Sequence, residues 1–504
     1  MINDNQKNLY NLILIFSAIL LSFLFYNDQV AIRGGLVISN IISYEDNISP
    51  LKYYFLNSWT LLTQLSAIFL KLGLSVKVVS FILVFFLSLI LIFSSYLITI
   101  KLTKDRLFSL IFTFFIVFFQ KNLGDTDYPS LIFTVHTFGA YAQGITGLII
   151  ASLLYRNFNI TFFLILLLIS IHPIVGCWML AIFCFSILFL KEKSVFASSY
   201  KGLFFGFFLI LISLIFYFYS SIGKVSYNQN LFNTYINLWD GHRARTGSIH
   251  YEYIVKSILL FFTINIFLDK KKYKLFITTL NFIFLSSICA YLLFKFINLD
   301  KFNLLSTIIP GRFMITYTFI AWPIFISILF SKFEILKYLK IFLYFLIFTY
   351  SIMHYKNFIQ VKENLIKNYY SYLNFNSKDD QNIFIQLRNI ENTGNIIASE
   401  NTTFNTIYLS QKPLLLTRSI DFLPYHPYLI NSVTAILEEV YGYNFKKPKR
   451  LYYPYLDDNH IKETFENRSL DEWLNIKNKF NSNFLIVPKS WKINLKIHST
   501  DQNF

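Results

Sequence analysis

Residues 78–100, VVSFILVFFLSLILIFSSYLITI, contain no charge, no proline and no glycine. A helix needs roughly 20 apolar residues to cross the hydrocarbon core of a bilayer. Similar runs recur along the first two thirds of the chain. Backbone polar groups in lipid must be satisfied within the protein, which leaves helices or closed barrels. These runs are continuous rather than alternating, which favours helices over a barrel. The sequence reads as a mainly α, polytopic helical membrane protein. Charged residues make up 14% of it, against about a quarter in soluble domains. A net charge of +17 then belongs to basic loops and lipid headgroups, with no nucleic-acid partner implied.

Spans are expected at about 9–26, 75–100, 106–120, 132–154, 158–171, 174–190, 202–220, 252–268, 274–296, 312–330 and 338–355, about eleven in all. The first, NLILIFSAILLSFLFY, has no small-residue cleavage site after it and is read as an uncleaved helix. The 158–190 stretch is either two short spans broken at His172-Pro173 or a kinked re-entrant pair. Basic residues cluster in KLTKDR (101–106), Tyr155-Arg156, KEK (191–193), DKKKYK (269–274) and SKFEILKYLK (331–340). These fall in alternate loops and are assigned to the cytoplasm. The N-terminus is then inside and the C-terminus outside. Loops 27–74, 121–131 and 221–251 share the outer face with the tail. Segment 51–72, interrupted by Asn57, Ser58, Thr60, Thr63 and Gln64, is expected to lie on the outer surface as an interfacial helix.

The chain divides into a helical transmembrane domain, 1–355, and a small C-terminal α/β domain, 356–504. In the tail, NIIAS (395–399), PLLLT (413–417) and NFLIVP (483–488) read as short buried strands. Helices are expected at 378–391, 428–441 and 469–480, which suggests a small parallel sheet. Cys177, Cys184 and Cys289 show no metal or disulfide spacing and read as small core residues.

Candidate functional residues gather on the expected outer face. KNLGDTDYPS carries Asp125 and Asp127; acids spaced one apart can hold a divalent cation, Mg or Mn, or supply a base. The alternative is a solvated hairpin with a capping aspartate. ISYEDNISP offers Glu45 and Asp46, with Asp46 either a general base or a helix cap. LISIHPIVGCWML places His172 and Pro173 within an apolar region, where polar groups tend to line cavities. LWDGHRARTGSIHYE brings His242, Arg243, Arg245 and His250 into one loop with Asp240, and IIPGRFMITY adds Arg312 at a span mouth. Guanidinium forks suit phosphate oxygens.

This layout resembles the GT-C class of polytopic membrane glycosyltransferases. Glu45-Asp46 match the first-loop acids of that class, and Asp125-x-Asp127 its second-loop acidic motif. Arg312, with Arg243 and Arg245, matches the residues that hold the carrier phosphate. HTFGAYAQGITG and SIHPIVG also resemble a group of bacterial membrane proteins with a His-Pro in a span. The resemblance implies sugar transfer from a polyprenyl-phosphate-type carrier to an acceptor, at the outer face of a bacterial inner membrane. The WWDYG-type signature of oligosaccharyltransferases is absent from the sequence, which leaves the acceptor open. Other readings stay open beside it. One is an O-antigen ligase or polymerase using His242, Arg243 and Arg245. The others are a transporter or flippase, and an envelope assembly protein.

Overall fold

The computed structural model describes residues 4–24, 30–119, 137–223, 226–241, 251–296, 308, 310–333, 337–353, 383–391, 393–403 and 406–497. Helices occupy every stretch expected to be apolar and helical. They are α1 (Asp4–Leu24), α5 (Val76–Thr103), α6 (Arg106–Phe119), α7 (Thr137–Leu154), α8 (Phe158–Ile171) and α9 (Pro173–Phe189). The series continues with α11 (Tyr200–Ser220), α13 (Tyr251–Phe267), α14 (Lys274–Phe296), α15 (Pro310–Phe333) and α16 (Lys337–Met353). Among the described residues, four stretches are long and apolar enough to cross a membrane: Val76–Thr103, Tyr200–Ser220, Lys274–Leu293 and Phe313–Lys332. Most of the others are shorter apolar helices.

Polar residues at the ends of several runs fix where the helix starts. Ser75 accepts from the Val78 amide to begin α5, and Lys104 ends it in the left-handed conformation at φ 58°. Asp105 accepts from Phe108 N at 3.0 Å and starts α6. Asn157 caps α8, and Pro173 opens α9 with the donor it lacks at a position that needs none. The break between α8 and α9 is therefore a pair of true helix ends at His172. The two helices fold tightly together, since a Cβ on Gly176 would overlap the backbone of Ile169.

Helices α5, α7 and α15 pack through small residues. A Cβ on Gly144 would sit 2.7 Å from Ile90, and one on Gly147 2.9 Å from Ser94. Such close approach is how helices associate where hydrophobic driving force is weak. Gln143 Nε2 donates to Thr316 Oγ1 at 2.9 Å and ties α7 to α15. On α11, Phe204, Phe207, Leu211, Ile215 and Phe218 are exposed, a surface that fits lipid rather than water. Cys177 and Cys289 also lie exposed on the bundle exterior, which corrects the expectation of core positions.

Contacts sort the connections into two ends. Lys101 Nζ lies 4.5 Å from the Tyr155 ring centroid. Asn159 bonds Ser198 O and Gly202 N. Phe189 at the end of α9 meets Phe282 on α14, Tyr344 on α16 meets Phe108, and Tyr10 lies beside Arg106. The basic connections thus share one end.

The other end carries three helices in the first loop: α2 (Val30–Ile38), α3 (Pro50–Leu56) and α4 (Leu61–Lys71). Segment 51–72 is thus not one helix on a surface. Several of its polar residues bond inside the protein. Gln64 Nε2 donates to Ser213 O and Ser213 Oγ to Gln64 Oε1, both at 2.8 Å, while Trp59 Nε1 donates to Ser213 Oγ at 2.7 Å. Gly34 and Gly35 let α2 lie against α4, where a Cβ would sit 2.5 Å from Thr63 and 2.8 Å from Ser66. A short α10 (Ser194–Ser198) precedes α11 at the basic end, and α12 (Gln229–Thr234) runs into a π-helical turn, Tyr235–Trp239, at the other.

The tail contains α17 (Ile383–Arg388), β1 (Ile397–Ala398), α18 (Ile430–Glu439), α19 (Asp458–Glu466), α20 (Leu470–Phe480) and β2 (Leu485–Ile486). β1 and β2 pair in parallel, and Ile396 bridges Leu414 in parallel beside them. A full capping box of Ser469 and Glu472 starts α20, and Asn481 ends it at φ 47°.

Candidate functional site

The tail sits on the first loop, and Asp46 is where they join. Asn395 Nδ2 donates to both Asp46 carboxylate oxygens, at 3.2 and 3.1 Å, and Asn481 Nδ2 donates to Oδ2 at 2.7 Å. Ile48 N donates to Oδ1 at 3.0 Å. Both oxygens are therefore occupied by amides from the two halves of the chain. A hydroxyl that used Asp46 as its base would have to displace one of these donors. Glu45 beside it is exposed.

Further bonds continue the joint. Tyr44 OH donates to Leu414 O at 3.2 Å and accepts from Leu414 N at 3.3 Å. Ser49 Oγ donates to the carbonyls of Leu414 and Leu415. The tail segment around Leu414, whose edge would otherwise expose these groups, is completed by the loop.

A polar and aromatic seam runs from there toward α11. Arg33 Nε on α2 donates to Tyr408 OH at 3.0 Å. Tyr54 stacks on Phe422 with centroids 4.7 Å apart and meets His426 edge-on at 5.2 Å. Burial raises the Tyr54 phenol well above its usual range; Asp421 raises it further and Arg33 opposes this. His426 Nδ1 lies 3.0 Å from Tyr428 OH, which accepts from Asn57 Nδ2 at 2.9 Å. Burial pushes Tyr428 up to about 12, against the opposing Asn57 bond. Asn57 Oδ1 accepts from Ile222 N, two residues past α11. The seam thus offers a guanidinium, a carboxylate and several phenols, a set suited to a phosphate and to hydroxyl groups.

Asp240 is 1% exposed and follows the π-helical turn, its backbone N–H bonded to Tyr235 O at 3.0 Å. Its charge, with that of Asp421, helps burial raise the Tyr455 phenol. The loop–tail contact is again close here, since a Cβ on Gly241 would come within 2.6 Å of Tyr452 O.

His172 is half-buried at the α8–α9 break, where its Nδ1 accepts from Val175 N at 3.5 Å. It is a helix cap by position. Arg312 lies in the first turn of α15, one turn before Thr316. Asp125, Asp127, His242, Arg243, Arg245 and His250 lie outside the described residues. Among the described residues, no group of three or more His, Cys, Asp or Glu side chains is placed to hold a metal ion. The divalent cation expected at Asp125 and Asp127 falls outside them.

The sequence reading missed Arg33, Tyr408, Asp421, Asn395 and Asn481. Only Arg33 left a local signal, as the single charge in VAIRGGLVI followed by two glycines. No family model matches the chain, and no curated protein matches it in sequence.

Proposed function

We propose that the chain is a membrane glycosyltransferase of the GT-C kind. It moves a sugar from a polyprenyl-phosphate-type carrier to an acceptor at the outer face of a bacterial inner membrane. The observation that carries this reading is the closure of the first loop and the tail over one end of an apolar helix bundle, with the basic connections at the other end. With basic residues inside, the helices number eleven spans, the N-terminus is cytoplasmic and the α/β tail is extracytoplasmic.

In this reading the bond between the anomeric carbon and the carrier phosphate oxygen breaks. The acceptor oxygen forms the new bond, and its proton goes to a carboxylate. Asp46 is held by amides, so that task falls to Asp125 or Asp127, with Glu45 beside the joint. Arginines meet the charge that develops on the leaving phosphate. Arg312, Arg243 and Arg245 are the arginines assigned to this role, and Arg33 at the seam is a further one. A divalent cation would bring charge neutralisation to the same phosphate, and no step here depends on it.

The test uses purified protein in proteoliposomes supplied with polyprenyl-phosphate hexoses labelled in the sugar. The expected result is consumption of one of them, reduced about 100-fold or more when Asp125 and Asp127 are both changed to Asn. Undiminished turnover with Asp125, Asp127 and Arg312 all replaced would remove this reading. So would movement of the intact labelled lipid across the bilayer without loss of its sugar.

A further inference from the structure

We propose that tail residues 446–451 form a docking surface for the anionic lipid headgroups of the bilayer that holds the chain. The segment reads KKPKRL, and no acid occurs between Asn444 and Leu456. Lys446, Lys447, Lys449 and Arg450 are all exposed, and Leu451 is 50% exposed beside them. Lys449 approaches Glu463 at 3.5 Å, with both side chains more than half exposed. Such a pair contributes little. Lys446, Lys447 and Arg450 have no ion pair among the described residues.

The segment is held rigidly at both ends. Before it, Phe445 is fully buried, stacks on Trp239 at 5.5 Å and accepts a 2.8 Å bond from Trp239 Nε1 through its carbonyl. After it, Tyr452 N donates to Leu238 O at 2.7 Å. Asn444 Oδ1 accepts from the amides of Lys446 and Lys447, which turns the chain outward. Arg450 lies 4.0 Å from the Tyr453 ring centroid. The four cations are thus displayed on a braced bow.

Its anchor tells which partner it meets. Leu238 and Trp239 belong to the connection between α11 and α13. Gly241 is ten residues from Tyr251, a span of at most about 35 Å when fully extended. At the other side of the same connection, the Tyr428–Asn57–Ile222 chain of bonds seats the tail at the end of α11, where Phe218 and Tyr219 are exposed. Aromatic side chains at such a helix end mark the headgroup level. A bilayer surface is therefore always within reach, which favours it over any free anion. Cations with an apolar side chain among them suit headgroups, because the stems and the leucine enter the interface while the charges meet phosphate.

The experiment reads the polarity around the segment in the intact chain. Cys177, Cys184 and Cys289 are replaced by Ala, and Leu451→Cys carries an environment-sensitive fluorophore. The labelled protein is placed in nanodiscs of phosphatidylcholine with or without phosphatidylglycerol. The expected result is a blue shift only with phosphatidylglycerol, reversed at about 1 M salt where the Debye length is about 3 Å. Changing Lys446, Lys447, Lys449 and Arg450 to Gln should abolish the shift while thermal unfolding stays unchanged. All four side chains are on the surface, so the folded chain is expected to survive. Equal emission in both kinds of disc overturns the proposal. So does a response to soluble heparin in phosphatidylcholine discs without one to phosphatidylglycerol. Neither result bears on sugar transfer.

Discussion

The Asn481 side-chain amide donates to the Asp46 carboxylate at 2.7 Å, joining residues 435 positions apart. Asn395 reaches the same carboxylate from the start of β1. One acid in the first loop thus holds the end of the tail's small sheet at which both parallel strands begin. Asp46→Ala should loosen the tail by about 1.5–3 kcal/mol, the range for hydrogen bonds to a charged group. Limited proteolysis of the purified chain should show the tail cut earlier, with the apolar helices intact. Unchanged cleavage would mean that Tyr44 and Ser49 suffice to hold it.

Helix α8 packs against α9 and α11 without room for another carbon. A Cβ on Gly176 overlaps Ile169, and one on Gly202 overlaps the carbonyl of Asn159. Gly176→Ala and Gly202→Ala should each destabilise the bundle by about 1–3 kcal/mol, as overpacking does. Thermal unfolding in detergent measures this. Gly223→Ala serves as the control, since nothing lies within 4 Å of its added carbon.

His460 makes the tail sensitive to acid. Burial lowers its pKa from 6.5, and the nearby Lys449 lowers it further, while its bond to Gly442 O and the acids Glu463 and Asp457 oppose the shift. A lowered histidine binds fewer protons in the folded chain than in the unfolded one. Its contribution to stability is full above 6.5 and is lost as pH falls through the lower, folded value. The melting temperature of the tail should therefore drop on acidification below about pH 6.5, and His460→Gln should flatten that part of the profile. An identical slope in the variant would assign the acid sensitivity to other groups.

Orientation is read by labelling single cysteines in the cysteine-free chain with a membrane-impermeant reagent. Asn467 in the tail and Lys104 at the basic end are both exposed. In intact spheroplasts, Asn467→Cys should label and Lys104→Cys should label only after the membrane is opened. The reverse pattern would put the tail in the cytoplasm and remove the outer-face transfer reaction.

The apolar helices were legible because lipid demands long uncharged runs, and their breaks carry caps that act locally, such as Ser75, Asp105 and Asn157. In the tail, the strands expected at 395–399, 413–417 and 483–488 are longer than what forms there, the two-residue β1, the single Leu414 bridge and the two-residue β2. The helix expected at 469–480 begins one residue later. Helix α2 was not legible. Its nine residues include adjacent glycines, poor helix formers that are used here because α4 comes so close. Helix α19 was missed as well, since DNHIKETFE buries only Ile461 and Phe465. The role of Asp46 was illegible for a different reason. A capping reading of ISYEDNISP is local, and Asp46 does bond Ile48, but its other partners lie hundreds of residues downstream.

That separation has a consequence for biosynthesis. The first loop is complete as soon as α1 and α5 have been made. Tyr44, Asp46 and Ser49 must then wait for residues 395, 414 and 481, which emerge only after every helix through α16 has been made. Until the ribosome has passed Asn481, the nascent chain holds a solvated acid where the finished protein holds a closed joint. The last stage of assembly is thus a docking step between a segment made early and segments made last. Ribosome-stalled chains that end before Asn481 should carry all their helices with Asp46 still open to water.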